Sequence, residues 1–177
     1  VLGFMLIFTR RLYDTFEKQQ KKIWKANQDL TELRGKTVLV VGLGNIGSKL
    51  ARLAKCLGTK VLAVKQNTNK KSDFVDKLYS SDQLDKALPK ADFVVLCLPL
   101  TSKTHHLFDM KKFKLMKRSA VLINIGRGGL INEKELILAL DKKIIGGAGL
   151  DVTEEEPLPK ESRLWNMENV IITPHHS

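Results

Sequence analysis

Residues 37–47 read Thr-Val-Leu-Val-Val-Gly-Leu-Gly-Asn-Ile-Gly, an apolar run that passes directly into a stretch with three glycines. The run Thr37–Val41 is rich in β-branched residues and predicts a buried strand. Apolar residues at helical spacing follow over Ile46–Cys56 and predict a helix. A strand that enters a helix through Gly-x-Gly-x-x-Gly is the arrangement by which many proteins bind the pyrophosphate of a dinucleotide.

The three glycines of this loop have separate physical functions. Gly42 permits the tight turn, Gly44 lets the backbone approach a pyrophosphate, and Gly47 allows the helix and the strand to pack closely. The free N–H groups and the positive dipole end of the helix would then point at the phosphates. A purely structural turn is the alternative, but the strand before the loop and the helix after it favour dinucleotide binding.

Outward from this loop, short apolar runs alternate with helical patterns to the end of the chain. Further strands are predicted at Lys60–Val64, Asp92–Cys97, Ala120–Asn124, Gly146–Leu150 and Val170–Ile172. Further helices are predicted at Ser81–Leu88, Met110–Met116 and, after the capping residue Asn132, Glu133–Leu140. Near-continuous apolar strands joined by helices indicate a parallel sheet covered on both faces. The predicted fold class is α/β, a Rossmann-type doubly wound parallel sheet of six strands in three α/β/α layers.

The length of 177 residues suits one domain with a sizeable core. Apolar residues near helical spacing predict one long amphipathic helix over residues 1–24, then a polar connector over 25–36 and the Rossmann core over 37–177. The first eight residues resemble a signal-peptide core, but no basic segment precedes them and no small-residue cleavage site follows. They are far shorter than the roughly 18 apolar residues of a membrane span. We expect no targeting signal and no membrane span.

The composition is that of an ordinary soluble protein, with 43% hydrophobic and 28% charged residues and a formal net charge of +11. A basic surface could attract nucleic acid, an anionic membrane or an acidic substrate. The lysines are spread along the chain without interleaved aromatic residues, which is typical of a solvated surface. We therefore expect neither nucleic acid nor a membrane as a partner.

The two cysteines, Cys56 and Cys97, each lie in an apolar stretch and lack Cys-x-x-Cys spacing. This pattern gives no support to a metal site or a redox motif. We expect two buried free thiols, as in a protein of the reducing cytoplasm.

The second strand lacks the acidic residue that would accept the ribose hydroxyls of NAD about 20 residues after the glycine loop. Lys65 stands at that position, and the polar loop Lys65–Asp73 contains its first acid only at its end. A cation can pair with a ribose phosphate, so Lys65 favours NADP over NAD. The alternative is a surface lysine, with NAD held by other contacts.

Three later segments end strands with residue types that suit one reaction. Arg127 follows the strand 120–124, and a planar guanidinium can hold a carboxylate through two hydrogen bonds. Residues 151–157 follow the next strand and supply carboxylates, while His175 and His176 follow the last. Oxidation of a hydroxyl to a carbonyl releases a proton as hydride leaves, and an imidazole is a suitable base. Arg127 as a surface ion-pair residue remains the alternative.

The sequence resembles the D-isomer-specific 2-hydroxyacid dehydrogenase family, in its NAD(P)-binding domain, over essentially the whole chain to Ser177. Segments at family-like spacing carry the resemblance: residues 33–37, 42–47, 98–101, 120–129, 149–152, 156–157 and 169–175. The resemblance implies a D-stereospecific oxidoreductase that transfers hydride between NAD or NADP and a 2-hydroxy or 2-oxo acid. A catalytically inactive, NAD(H)-sensing regulatory module of the same fold is the alternative.

The resemblance also assigns roles to individual residues. Arg127 would anchor the substrate carboxylate, His175 would be the general acid and base, and Glu156 would pair with His175. The residues expected to contact the cofactor are Gly42, Gly44, Asn45, Ile46, Gly47, Lys65, Leu98, Pro99, Ile125, Gly126, Arg127, Asp151 and His175. Among them, the Asn45 and Ile46 amides would hold the pyrophosphate, and Asp151 would hold the nicotinamide carboxamide.

Other polar residues near these segments are expected to be structural, and His176 is a weaker candidate than His175 because only His175 has the family's position. Glu154 and Glu155 should be solvated, and His105 and His106 should belong to a surface turn, although the family often has a histidine at position 106. The resemblance further implies a homodimer through the leading helix. It also implies a split substrate-binding domain that is absent from these residues, so the chain alone should be inactive.

Overall fold

A computed structural model of the chain describes residues 1–27, 29–67 and 73–176. Most of the polar loop predicted between Lys65 and Asp73, one residue of the connector and Ser177 lie outside these ranges. Within the described ranges, seven strands form one all-parallel sheet: β1 Thr37–Val41, β2 Lys60–Val64, β3 Lys77–Tyr79, β4 Phe93–Leu96, β5 Val121–Asn124, β6 Gly147–Leu150 and β7 Val170–Ile172. Their order across the sheet is β3-β2-β1-β4-β5-β6-β7. The predicted α/β class and doubly wound parallel sheet are confirmed.

The strands are buried on both faces, as their apolar sequences predict. Along β1, Val38 and Val40 pack into one hydrophobic cluster while Leu39 and Val41 pack into another. This alternation follows from the two-residue period of a strand, which points successive side chains to opposite faces. The sheet is therefore the middle layer of three.

The α-helices in the described ranges are α1 Leu2–Arg10, α2 Leu12–Gln20, α3 Asn45–Cys56, α4 Leu84–Ala87, α5 Met110–Leu115 and α6 Glu133–Asp141, and all except α2 pack on the sheet. Residues of α1 and α3 belong to the cluster on one face, and residues of α4, α5 and α6 belong to the cluster on the other. The predicted cap at Asn132 is confirmed, because its side chain accepts a hydrogen bond from the Glu135 N–H.

The prediction of one long helix over residues 1–24 is wrong. Arg11 has a left-handed backbone with a φ of 48°, which ends α1 and begins α2 in a new direction. Phe4 and Met5 of α1 are buried against the sheet, whereas α2 contains no buried residue. The leading segment thus consists of a helix that belongs to the core and a helix that lies on the surface.

Two further differences lie between β2 and β4. The strand β3 was not predicted, because it has only three residues and pairs on one side alone, so it lacks a long apolar pattern. The helix predicted at Ser81–Leu88 is divided into a 3₁₀ turn at Ser81–Gln83, the short α4 and a second 3₁₀ turn at Leu88–Lys90. The proline inside the second turn cannot supply a helical N–H, which limits the length of the helix.

The prediction that both thiols are buried is wrong for Cys56. Buried positions of α3 recur at Gly47, Leu50, Ala51 and Ala54, and Cys56 lies off that face and is exposed. Cys97 is partly buried, and burial raises the pKa of its thiol to about 12. Both cysteines are free.

Within the described ranges, none of the helices is both long enough and apolar enough to cross a bilayer.

Candidate cofactor and catalytic site

The glycine loop lies where the strand order reverses between β1 and β4. The Gly42 N–H donates to the Val64 carbonyl at 3.0 Å, and the Cys97 N–H donates to the Val41 carbonyl at 2.8 Å. The loop is therefore held between the ends of its two neighbouring strands. In open α/β sheets this switch point at the carboxyl edge is where ligands bind.

Close packing explains two of the three glycines. Gly42 has a φ of 101°, and a Cβ there would lie 2.8 Å from the Cys97 carbonyl oxygen. A Cβ at Gly47 would lie 2.1 Å from the Gly42 carbonyl oxygen. Both positions require glycine because a side chain would collide with backbone.

Gly44 differs because a Cβ there would meet nothing within 4 Å. It is the N-cap residue of α3, and no side chain caps this helix. The amides of Asn45 and Ile46 in the first turn therefore have no capping side chain above them. The open space and the uncapped N–H groups fit an anionic pyrophosphate, whose charge the helix N-terminus would also stabilise.

A cleft of about 400 Å³ lies beside the glycine loop. Its lining residues come from the ends of β4 and β5 and from the start of α3: Ile46, Cys97, Leu98, Pro99, Leu100, Ile125, Gly126 and Arg127. Five of the residues predicted to contact the cofactor, together with Arg127, thus share one surface. The mostly apolar lining with a few polar groups suits the rings of a dinucleotide.

Asn124 organises the turn that presents Arg127. Its buried side chain donates to the Arg127 carbonyl at 2.9 Å and accepts from the Gly126 N–H at 3.0 Å. The Arg127 guanidinium is exposed and donates to the Gly126 carbonyl at 2.7 Å. The remaining N–H groups of that guanidinium are available for an anionic ligand.

This turn packs tightly on the loop after β6. A Cβ at Gly128 would lie 1.8 Å from the Thr153 carbonyl oxygen, so the two backbones are in direct contact. The position of Arg127 is therefore coupled to the loop that carries Glu156.

Asp151 connects the ends of β6 and β7. It is buried, its carboxylate accepts from the Thr173 hydroxyl, and the same oxygen accepts from the His176 N–H at 2.9 Å. The His175 N–H donates to the Asp151 carbonyl at 2.9 Å. These bonds hold His175 in a left-handed conformation with a φ of 53°.

Glu156 and His175 form the pair that the sequence predicts. His175 Nδ1 lies 2.8 Å from Glu156 Oε2, and the Thr153 N–H donates to Oε1 at 3.2 Å. The hydrogen bond from His175 lowers the pKa of Glu156, and the Thr153 N–H and the charges of His175 and Arg127 act in the same direction. Glu156 therefore remains an anion near neutral pH and fixes the imidazole ring, whose Nε2 is left for a substrate.

A second cleft, of about 650 Å³, adjoins this pair. The polar residues of the cleft are Asp151, Thr153, Glu156, Thr173 and His175, and its apolar residues are Pro157, Leu158, Trp165, Ile172 and Pro174. It offers a small polar centre beside an apolar wall, which is typical of a small-molecule site.

Lys65 lies directly after β2, one residue beyond the carbonyl that accepts from Gly42. It is partly buried, and its own N–H donates to the Tyr79 carbonyl at 3.0 Å. The residue is thus at the same sheet edge as the glycine loop.

The other polar residues lie apart from the Glu156–His175 pair. Glu154 is exposed as predicted, yet its carboxylate contacts His106 and accepts from the Glu133 N–H. His105 and His106 lie in a turn that follows Pro99, as predicted. Burial, together with the nearby Glu154 and Glu155 carboxylates, raises the pKa of Glu133.

Sequence reasoning missed Asn124 and Thr173 as positioning residues. An asparagine at the end of an otherwise apolar, buried strand was a signal for the first, because a buried amide requires partners. The hydroxyl of Thr173 gave no comparable signal, since threonine is common in strands.

The parallel sheet, its strand order and the glycine loop define a dinucleotide-binding domain of the Rossmann type. Residues 2–177 match the family described as D-isomer specific 2-hydroxyacid dehydrogenase, NAD binding domain. The chain belongs to this family, as the sequence predicts.

Individual relatives agree with this assignment. The chain is 39% identical to glyoxylate/hydroxypyruvate reductase B of Escherichia fergusonii, over 99% of this chain and 55% of that protein. The crystal structure of a D-isomer specific 2-hydroxyacid dehydrogenase family protein from Aeromonas salmonicida superposes with a TM-score of 0.92 at 41% identity, over 99% of this chain and 56% of the other. An NADPH-dependent glyoxylate/hydroxypyruvate reductase from Sinorhizobium meliloti, solved with NADP and sulfate, gives a TM-score of 0.90 at 34% identity, over the same shares of both chains. The chain thus spans about half the length of these relatives.

Proposed function

We propose that this chain is the cofactor-binding half of an enzyme that transfers hydride between a nicotinamide dinucleotide and a 2-hydroxy or 2-oxo acid of D configuration. One observation carries the proposal. The His175 imidazole and the Glu156 carboxylate lie 2.8 Å apart, and the loop that carries Glu156 packs against the turn that carries the exposed Arg127. General acid–base chemistry on a carboxylate-bearing substrate needs these three groups. Because all three are present and joined, the arrangement favours an enzyme over an inactive sensing module.

The residues divide the reaction between them. Arg127 binds the substrate carboxylate and polarises the carbonyl with its remaining N–H groups. During reduction, Nε2 of His175 donates a proton to the carbonyl oxygen, and during oxidation it accepts the hydroxyl proton. Glu156 holds the ring through Nδ1, which leaves Nε2 directed at the substrate. When bound, the nicotinamide supplies or accepts the hydride.

Relatives that are named glyoxylate reductases and glyoxylate/hydroxypyruvate reductases support this substrate class. Small 2-oxo acids of this kind have one carboxylate for Arg127 and one carbonyl for His175. We propose that a separate substrate-binding domain selects among them, because the chain spans about half of the relatives' length. Without that domain the chain should bind cofactor and turn over little.

For the cofactor we propose NADP in preference to NAD. Lys65 lies directly after β2, at a position where an acidic side chain would repel a ribose phosphate. The ammonium group can pair with such a phosphate. The relative from Sinorhizobium meliloti was solved with NADP.

Titration of the purified chain with NADPH and with NADH, followed by nicotinamide fluorescence, tests both proposals. We expect saturable binding of both and tighter binding of NADPH. Lys65→Ala should weaken NADPH binding about tenfold or more, as expected for loss of a charge-assisted hydrogen bond, and should leave NADH binding unchanged.

Lys60→Ala is the matched control, because Lys60 is exposed at the opposite end of the same strand. It should change neither affinity. Binding of NADH as tight as that of NADPH would refute the NADP preference, and no binding of either would refute cofactor binding by this chain.

We also propose a homodimer formed through α2 and the segment after it. Tyr13, Phe16, Ile23 and Trp24 are 46%, 61%, 48% and 104% exposed. Such a group of exposed large apolar side chains is typical of an interaction surface, and a second copy of the chain would cover it. Sedimentation should show a dimer that Phe16→Asp dissociates.

The two free cysteines fit our proposal of a cytoplasmic protein.

A further inference from the structure

Three potential metal ligands converge at a place that the proposed reaction does not use. His105, His106 and Glu154 each offer one ligand atom, and these atoms all lie within 4.8 Å of one another. The two imidazole rings are stacked, with centroids 3.9 Å apart. No other such group occurs among the residues that the structure describes.

Backbone contacts hold the two histidines in place. The Thr104 hydroxyl donates to the Pro99 carbonyl at 2.8 Å, and the His105 N–H donates to the Thr101 carbonyl at 2.9 Å. The His106 N–H donates to the Gly129 carbonyl at 2.8 Å. The imidazoles therefore project from a turn that is fixed to the Arg127 segment, and little conformational freedom would be lost on ligand binding.

Glu154 is held from the other side. Its N–H donates to Glu133 Oε2 at 3.1 Å, and its own Oε2 accepts from the Glu133 N–H at 3.3 Å. These reciprocal bonds at the start of α6 leave Oε1 facing His106. The contacts with Glu133 thus orient the Glu154 carboxylate toward the histidines.

We propose that His105, His106 and Glu154 bind a divalent transition-metal ion of the zinc type. Imidazole and carboxylate ligands suit Zn²⁺ and Co²⁺, whereas Ca²⁺ and Mg²⁺ prefer oxygen ligands alone. Three protein ligands leave a fourth position for water. Glu133 and Glu155 stand beside Glu154, so a cation would also offset a local excess of negative charge.

The proposed metal site lies between two segments that border the candidate active site. A bound ion would connect the turn after Leu98 and Pro99 to the loop that begins at Asp151 and carries Glu156. These two segments border the two clefts of the candidate active site. Occupancy would restrict their relative movement.

Titration of the 177-residue protein with Co²⁺, followed by its visible absorption, tests the proposal. We expect one Co²⁺ per chain, displaced by Zn²⁺. Glu154→Gln and His105→Ala should each weaken binding by about tenfold or more, because loss of an outer-shell partner alone commonly costs that much. His176→Ala removes an imidazole that is not one of the three ligands, and it should leave Co²⁺ affinity unchanged. Glu155→Gln removes only a charge beside Glu154, and it should weaken Co²⁺ binding much less than Glu154→Gln does.

Thermal unfolding provides a second readout, since an ion that binds only the folded state raises the Tm. Zn²⁺ should raise the Tm of the wild-type chain, and that of Glu155→Gln nearly as much, whereas the rise for Glu154→Gln and for His105→Ala should be clearly smaller at the same Zn²⁺ concentration. Circular dichroism establishes that the variants are folded, and if Glu154→Gln is not, His105→Ala decides. Equal Co²⁺ binding by the wild type and by a folded variant that lacks a ligand, or no saturable binding by the wild type, would overturn the proposal.

Discussion

His175 has a backbone conformation that few residues other than glycine adopt. Its φ of 53° costs about 1–3 kcal/mol where the surroundings do not favour it. The Asp151 carbonyl offsets this cost by accepting the His175 N–H, and the Asp151 carboxylate accepts the next N–H along the chain. This conformation is held by the buried Asp151, and the imidazole ring is hydrogen-bonded to Glu156, which supports a functional role for this histidine.

Replacement of His175 by alanine tests this role. We expect His175→Ala to reduce kcat by about 10²–10⁴-fold, the usual contribution of a general acid or base, while NADPH affinity changes little. The measurement is reduction of glyoxylate or hydroxypyruvate in a form of the protein that includes a substrate-binding domain. His176→Ala is the matched control, because His176 is its exposed neighbour and lacks a bond to Glu156. Equal loss of turnover and of cofactor affinity would contradict the role of His175.

The lowered pKa of Glu156 predicts how the pair responds to pH. A carboxyl group with a lower pKa in the folded state stabilises the fold above its unfolded pKa, and this contribution is lost as the pH falls through the folded pKa. The pair is partly exposed, so its contribution is only about 0.2–1 kcal/mol. Urea unfolding should show Glu156→Gln less stable than the wild type at pH 7, with the difference shrinking as the pH falls below the ordinary glutamate pKa of about 4.3. A difference that grows on acidification would show that the pKa of Glu156 is raised.

The glycine loop, which we propose to bind the pyrophosphate, has one glycine that packing requires and one that packing does not require. At Gly47 a side chain would collide with the Gly42 carbonyl, so glycine is required for β1 and α3 to pack. At Gly44 a side chain would enter open space above the helix N-terminus. Packing therefore explains the glycine at position 47 but not the glycine at position 44, and we attribute the second to ligand binding.

Alanine at each of these glycines should therefore have different effects. Gly44→Ala should keep the free energy of unfolding within about 1 kcal/mol of wild type, since only an N-cap preference is lost. It should weaken dinucleotide binding about tenfold or more, because the methyl group enters the phosphate position. Gly47→Ala should destabilise the chain by about 1–3 kcal/mol as well as weaken binding. Urea unfolding and nicotinamide fluorescence measure the two quantities, and normal dinucleotide binding by Gly44→Ala would contradict the assignment of this loop.

Elements with strong local signals were predictable from the sequence. The strands β1, β2 and β7 have the predicted bounds, because each is an apolar run with clear limits. The strand β3 was not predictable, since it depends on pairing with β2 and has only three residues. The break at Arg11 also has no composition signal, because the residue that takes the left-handed conformation is not glycine. At the candidate site, the residue types of Arg127, Glu156 and His175 were readable, whereas the support from Asn124 and Thr173 depends on tertiary contacts.

At the scale of the whole molecule, the structure assigns α1 to the core of the domain. A Cβ at Gly149 would lie 2.8 Å from Phe4, and a Cβ at Gly147 would lie 2.7 Å from Phe8. These two glycines of β6 therefore make room for α1, which lies directly against the sheet. The helix α2 turns away at Arg11 and leaves its apolar side chains exposed.

Two substitutions of leading-segment side chains test this division. Met5 is fully buried, so Met5→Ala should reduce the free energy of unfolding by about 2–5 kcal/mol through loss of buried surface and creation of a cavity. Phe16 is 61% exposed, so Phe16→Ala should change the free energy of unfolding of the monomer by no more than about 0.5 kcal/mol. Urea unfolding at a protein concentration where sedimentation shows monomers measures both, and each variant should keep a single transition with an unchanged m-value. A separate early transition in Met5→Ala, with the main transition unshifted, would mean that α1 unfolds on its own and that the sheet is stable without it.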